Sequence, residues 1–225
     1  MVGQGVLREC LADPDVESVL SIGRSPSGPA DRAAAQTRFR EIVHADLWHY
    51  ESIEAQLSGF DACFFCLGVS VAGMTEAAYT RVTHDLTLAA ATTLVRLNPS
   101  MTFIYISGAS TDSSEQGKTM WARVKGKTEN ALLRLPFKAK YMFRPGVIQS
   151  VHGERSKTPA YRVTYLFLNP LLPLLRRLFP DYVTTTEHIG RAMLRVTKHG
   201  HATPIVENRD INSVGHSADD RSPER

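Results

Sequence analysis

Three side chains raise the chemical question: the hydroxyl of Ser107, the ammonium of Lys125 and the indole of Trp121. Ser107 closes the apolar run Phe103-Ile-Tyr-Ile-Ser107 and opens a small-residue loop, Gly108-Ala-Ser110-Thr-Asp112. Trp121 and Lys125 lie four residues apart in a helical pattern, so they share one helix face. Indole supplies an N–H donor but no acid–base chemistry. In open α/β sheets ligands collect at the carboxyl ends of strands. A Ser at a strand end and a Lys on the next helix can therefore face one pocket. Ser110 and Thr111 are weaker hydroxyl candidates, because loop hydroxyls often only cap turns.

The elements that would hold these groups alternate. Gly3 to Ala12 reads as a short amphipathic helix ended near Pro14, with Val6, Leu7, Cys10 and Leu11 as its apolar face. Strands are expected over Val16 to Ile22, Phe39 to Val43, Ala62 to Leu67, Met101 to Ile106, Ala139 to Phe143 and Ala202 to Val206. Helices are expected over Tyr50 to Leu57, Thr75 to Leu97, Met120 to Leu135 and Glu187 to Lys198, the last behind a Thr184-Thr-Thr-Glu187 capping box. Ser25 to Arg38 reads as a loop. This alternation predicts an α/β fold with a mostly parallel sheet covered on both faces. Residues 1–212 read as one domain, with 147–212 as a small substrate-side lobe and 213–225 as a polar tail.

The Ser107 strand end, Trp121-x-x-x-Lys125-Gly126-x-x-Glu129 and Phe143-Arg144-Pro145-Gly146 together resemble the short-chain dehydrogenase/reductase superfamily. Within it they look like a divergent branch, the Tat-interactive-protein oxidoreductase-like group and bacterial epimerase/dehydratase-like proteins. The resemblance implies a Rossmann-like doubly wound sheet and NAD(P)-dependent oxidoreductase or epimerase-like activity on a small carbonyl or alcohol substrate. Ser107 would then contact the substrate oxygen, and Lys125 the nicotinamide ribose. The family's Tyr acid is replaced by Trp121, which can shape or stack on a substrate but cannot relay its proton. A non-catalytic NADP sensor or interaction module on the same fold is the competing reading.

The cofactor side follows the same resemblance. Gly3 matches the third glycine of the phosphate loop, so the first strand and the first two glycines are expected to be missing. That would leave a central gap and two neighbouring strands with unpaired backbone. The alternative for Gly3 and Gly5 is plain terminal flexibility. Arg24 with Ser25, after the second strand, suits a 2′-phosphate and NADP over NAD; the alternative is a solvated Arg. Asp46 would meet the adenine, or simply cap the next segment. Leu67 and Gly68 would let the adenine ribose approach. Pro145 and Gly146 would turn the chain over the nicotinamide side. For Trp121 the alternative is a packing aromatic, and for Lys125 a solvated helix charge.

Composition narrows the rest. The chain has 225 residues, 43% hydrophobic, with net charge +3 and three cysteines. It has no basic block with interleaved aromatics, so no nucleic-acid partner is expected. The odd cysteine count fits a reducing, cytoplasmic setting. Cys63-Phe-Phe-Cys66 reads as core, since residues three apart on a strand face opposite ways. No apolar run reaches the ~20 residues of a span, and no signal peptide or stable membrane insertion is expected. The apolar run Tyr165 to Phe179 could pack, act as a lid or dock on a surface. His199 and His201 flank a turn without further metal ligands, so no metal is expected. A small-molecule substrate is expected as partner, with a homodimer left open.

Overall fold

The computed structural model describes residues 1–27, 37–151 and 181–216. At its centre β4 (Thr102–Ile106) pairs in parallel with β3 (Ala62–Phe65) and with β5 (Ala139–Arg144). A last strand, β8 (Ile205–Glu207), extends the sheet beyond β5, giving the order β3-β4-β5-β8. Phe103, Ile104 and Tyr105 are almost wholly buried, as a near-continuous apolar run in a doubly covered parallel strand requires. Phe103 and Tyr105 face one way, towards Ala91, Leu132 and Phe137; Ile104 faces the other, towards Val6, Ile189 and Met193.

Two helix layers provide those faces. On one side lie α1 (Val2–Ala12), α5 (Thr186–His199) and α6 (Asn208–His216). On the other lie α3 (Leu86–Leu97) and α4 (Met120–Arg134). Gly5 is no flexible terminal residue: a Cβ there would come within 2.5 Å of the Thr186 Cβ, so α1 and α5 cross at a glycine contact. Gly190 makes the reciprocal approach to Val6 and Glu9.

The remaining strands lie apart from this sheet. β1 (Val19–Gly23) and β2 (Phe39–Val43) form a separate parallel pair. Two short strands, β6 (Val147–Gln149) and β7 (Val183–Thr185), form another. Among the described residues no strand joins β1 to β3, so β1-β2 and β3-β4-β5-β8 are separate sheets.

Several expectations are revised. The chain enters β1 only at Val19, because the Arg38 guanidinium binds the carbonyls of Leu11, Asp13 and Val16 and holds that stretch as a turn. Tyr50 to Leu57 forms a single 3₁₀ turn at Glu54–Gln56, anchored by Tyr50, Ile53 and Leu57 in a small apolar cluster. The long helix begins as α2 (Glu76–Thr80), capped by Thr75, and passes through a π-helical turn at Arg81–Asp85 before α3. The cap of α5 is Thr185, whose hydroxyl accepts from the His188 N–H. Strands β6 and β7 are too short for a visible alternation. Helix α6 runs to His216, past the start of the expected tail at Ser213, because Ile211 is fully buried against the main body. The Tyr165 to Phe179 run lies outside the described residues.

Candidate active site

Helix α4 carries the site because five of its residues bind the loop after β4. Lys125 extends its Nζ to donate to the Ser107 carbonyl. Gly126 sits against the carbonyl of Asp112, so close that any Cβ would overlap it. Glu129, fully buried, accepts from the Ser107 hydroxyl at 2.5 Å. The Asp112 N–H also donates to the Ala122 carbonyl, and the Asn130 amide to the Ser113 carbonyl. The spacing Lys125-Gly126-x-x-Glu129 is therefore a device for fastening one loop to one helix face.

The third wall comes from the end of β5. Arg144 grips Glu129 with two hydrogen bonds, 3.0 Å from Nε and 2.5 Å from Nη2, and reaches Ser113 Oγ and Glu207 with its remaining donors. The Pro145 carbonyl accepts from the Ala109 N–H at 2.8 Å. Gly146 donates its N–H to Asn208 and lies so near the Tyr182 carbonyl that no side chain fits there, which lets β6 pair with β7. Gly108, at φ +150°, is open towards the Lys125 ammonium, 3.8 Å from where a Cβ would stand.

Lys125 is the perturbed group of this cluster. Burial draws its pKa from the ordinary 10.5 down to about 8, and Glu129 pulls back only in part. A lysine so depressed binds fewer protons folded than unfolded between those values. Stability from this group therefore rises with pH across that window. Lys125→Met is expected to abolish that rise, measured as urea midpoints below and above the window. An unchanged slope in the variant would show that Lys125 is solvated.

The expected site residues are only partly brought together. Ser107, Lys125 and Pro145 converge, whereas Gly146 packs against Tyr182 and Asn208. The Ser107 hydroxyl, however, is 3% exposed and already donates to Glu129, with the Phe143 carbonyl 3.1 Å away. Trp121 is half-buried in the first turn of α4, and its indole makes no hydrogen bond or ring contact among the described residues. On the other flank, a Cβ added at Gly3 would stand 3.4 Å from the Cys66 Cβ, placing the start of α1 beside Leu67 and Gly68. Gly68 is exposed, with nothing among the described residues within 4 Å of a Cβ position. Arg24 is exposed just after β1 and carries no hydrogen bond or ion pair among the described residues. Ser25 adjoins it. Asp46 is engaged locally: it accepts from His49 at 2.9 Å and from the Trp48 N–H, which together lower its pKa. These contacts close a local turn, and the next helical segment, Glu54–Gln56, is preceded by Ile53.

Sequence reasoning missed the roles of Glu129 and Arg144 as an ion pair, although both lay inside quoted motifs. A Glu four residues after a Lys on a helix, ahead of an Arg at a strand end, was the available signal. Cys63 and Cys66 behave as packing residues, because desolvation raises both thiols, Cys63 to about 12. Among the described residues no cluster could hold a metal ion, and no helix is long and apolar enough to cross a membrane.

No protein-family model matches the chain. A curated relative, protein fmp52, mitochondrial, of Emericella nidulans, is 27% identical over 196 residues, spanning 85% of this chain and 81% of the relative. Among solved structures, DesIV, the dTDP-glucose 4,6-dehydratase of Streptomyces venezuelae, determined with NAD and TYD bound, superimposes with TM-score 0.62 at 15% identity, covering 95% of this chain and 76% of its own. The UDP-N-acetylglucosamine 4-epimerase of Methanobrevibacter ruminantium M1 superimposes with TM-score 0.66 at 13% identity, covering 92% and 72%. The chain has the Rossmann-like α/β fold of these dehydratase and epimerase structures.

Proposed function

We propose that the protein binds a nicotinamide dinucleotide along the carboxyl edge of its sheet and acts as an oxidoreductase or epimerase-like enzyme on a small carbonyl or alcohol. The observation that carries this is the convergence of Ser107, Gly108, Lys125 and Pro145 around one half-buried ammonium. The fit to a dinucleotide rests on three features: the uncommitted Arg24, the open space at Gly68, and the approach to Lys125 left by Gly108. DesIV, of like fold, was solved with NAD bound. The cofactor would supply hydride chemistry. Arg24 beside Ser25 favours NADP over NAD, because a guanidinium makes charge-assisted bonds to a 2′-phosphate.

In this reading Lys125 holds ribose hydroxyls while charged. With a pKa of about 8, it is also suited to supply the proton that Trp121 cannot. Glu129 and Arg144 position the Ser107 loop. Trp121 lines the substrate side. The unpaired Cys10, Cys63 and Cys66 fit a reducing compartment, the cytoplasm in this reading.

One observation favours a second reading, a dinucleotide sensor without turnover: the Ser107 hydroxyl is already donated to Glu129. Single-turnover oxidation of NADPH over a panel of aldehydes separates the two. Turnover that rises at least tenfold in Trp121→Tyr supports the enzyme. Binding without turnover in either form supports the sensor.

A further inference from the structure

We infer that Glu41 is a positioning residue. Through Ser27 it folds the loop after β1 back along β2, presents Arg24 to a 2′-phosphate and so sets the preference for NADP over NAD. The inference rests on the dinucleotide reading above and adds to it a residue that itself touches no cofactor.

The loop is fastened to β2. Strands β1 and β2 run in register to a shared end, where Gly23 pairs with Val43. Glu41 lies two residues before that end, opposite Ser21. Leu20, Ile22 and Ile42 pack against Tyr50, Ile53 and Leu57, so Ser21 and Glu41 point to the other face of the pair. There the Glu41 carboxylate accepts from both the N–H and the hydroxyl of Ser27, each at 2.6 Å on Oε1. The chain that leaves β1 at Gly23 has therefore turned back alongside β2 by Ser27. The turn is tight: a Cβ at Gly23 would stand 3.4 Å from the Ser25 carbonyl oxygen. Pro26 stiffens it, because proline fixes its own φ and biases the preceding residue towards extended backbone. Arg24 and Ser25 are left exposed at the crest, at the carboxyl end of the strands.

This fastening bears on one ligand group. Hydrogen bonds to a carboxylate are roughly twice as strong as neutral ones. Two of them on one residue hold the loop in place before a ligand arrives. A guanidinium on a fixed loop loses less freedom in gripping a phosphate than one on a loose loop. Of the two dinucleotides only NADP carries the 2′-phosphate, so the gain is confined to NADP. Glu41 thus acts on the difference between two affinities. Its own charge has the sign of the phosphate. Positioning therefore predicts a loss of NADP affinity when the side chain is removed, and simple repulsion predicts a gain.

The test titrates NADPH and NADH into wild type, Glu41→Ala, Glu41→Gln, Arg24→Ala and the Arg24→Ala, Glu41→Ala double variant. Wild type is expected to bind NADPH more tightly than NADH. Glu41→Ala is expected to weaken NADPH by about tenfold or more and to leave NADH within about twofold. Glu41→Gln, whose amide oxygen still accepts from Ser27, is expected to keep most of the preference. In the Arg24→Ala background the second change is expected to cost nothing further, because Glu41 acts through Arg24. Hydrogen exchange at the Ser27 amide of the cofactor-free chain is expected to speed up about tenfold or more in Glu41→Ala and not in Glu41→Gln. An unchanged ratio of the two affinities in Glu41→Ala overturns the inference. So do additive costs in the double variant, or a Ser27 amide unprotected in wild type. Tighter NADPH binding by Glu41→Ala also overturns it and marks Glu41 as a repulsive charge. If wild type binds neither dinucleotide, the dinucleotide reading falls together with this inference.

Discussion

Alanine at position 126 is expected to destabilise the protein by about 3 kcal/mol or more, at the upper end of overpacking substitutions. Gly126 lies inside α4, where helix propensity alone would make Ala better by about 1 kcal/mol. The opposing term is larger. The new Cβ would overlap the Asp112 carbonyl oxygen and come within 2.5 Å of its carbon. These are backbone atoms that cannot rotate aside, and the same loop is tied to the helix by Asp112 N–H and Asn130. Either the loop lifts or the helix shifts, and both move Lys125 away from the Ser107 carbonyl. Urea unfolding decides the sign. A midpoint that falls supports the close loop–helix contact; one that rises by the propensity gain would show that the loop does not sit on Gly126.

Glu129→Ala is expected to cost about 3–5 kcal/mol, the range for removing one partner of a buried ion pair. The carboxylate is fully buried and accepts from Ser107 and twice from Arg144. Its loss leaves a mostly buried guanidinium with only Ser113 and the half-exposed Glu207 as partners. Glu129→Gln, which still accepts from Ser107 without the charge, is expected to fall between wild type and Ala. Replacing the pair together, Glu129→Leu with Arg144→Met, is expected to cost less than the sum of the single changes, because no unpaired charge remains. Additive costs in denaturant titrations would show that the two residues do not act as a unit.

Much of this arrangement could be read from residue order. The run Phe103 to Ser107 announced a buried strand and a site at its end, because aromatic and β-branched residues packed on both faces leave few other solutions. Lys125, Gly126 and Glu129 were visible as a motif, but their division of labour was not. That Gly126 is needed for contact with Asp112 depends on a loop returning across the helix, which no local pattern records. Gly5 was ambiguous for the same reason, since its partner Thr186 lies at the far end of the chain. The π-helical turn at Arg81–Asp85 keeps the apolar period of a helix, so it was read as one. Strands β6 and β7 escaped because each has three residues and its pairing partner is remote in sequence. The hydroxyl of Ser107 was placed at the right strand end, but whether it faces a ligand or Glu129 depends on tertiary contacts.

If, as proposed, Lys125 holds a nicotinamide dinucleotide at the carboxyl edge of the sheet, dinucleotide affinity depends on its ammonium. Titration calorimetry of NADPH into the wild-type chain and into Lys125→Met tests it most directly. Saturable binding by the wild type, weakened at least tenfold, or about 1.4 kcal/mol, in Lys125→Met is the predicted result. Equal affinity in the two forms, or no binding by the wild type, would contradict the account.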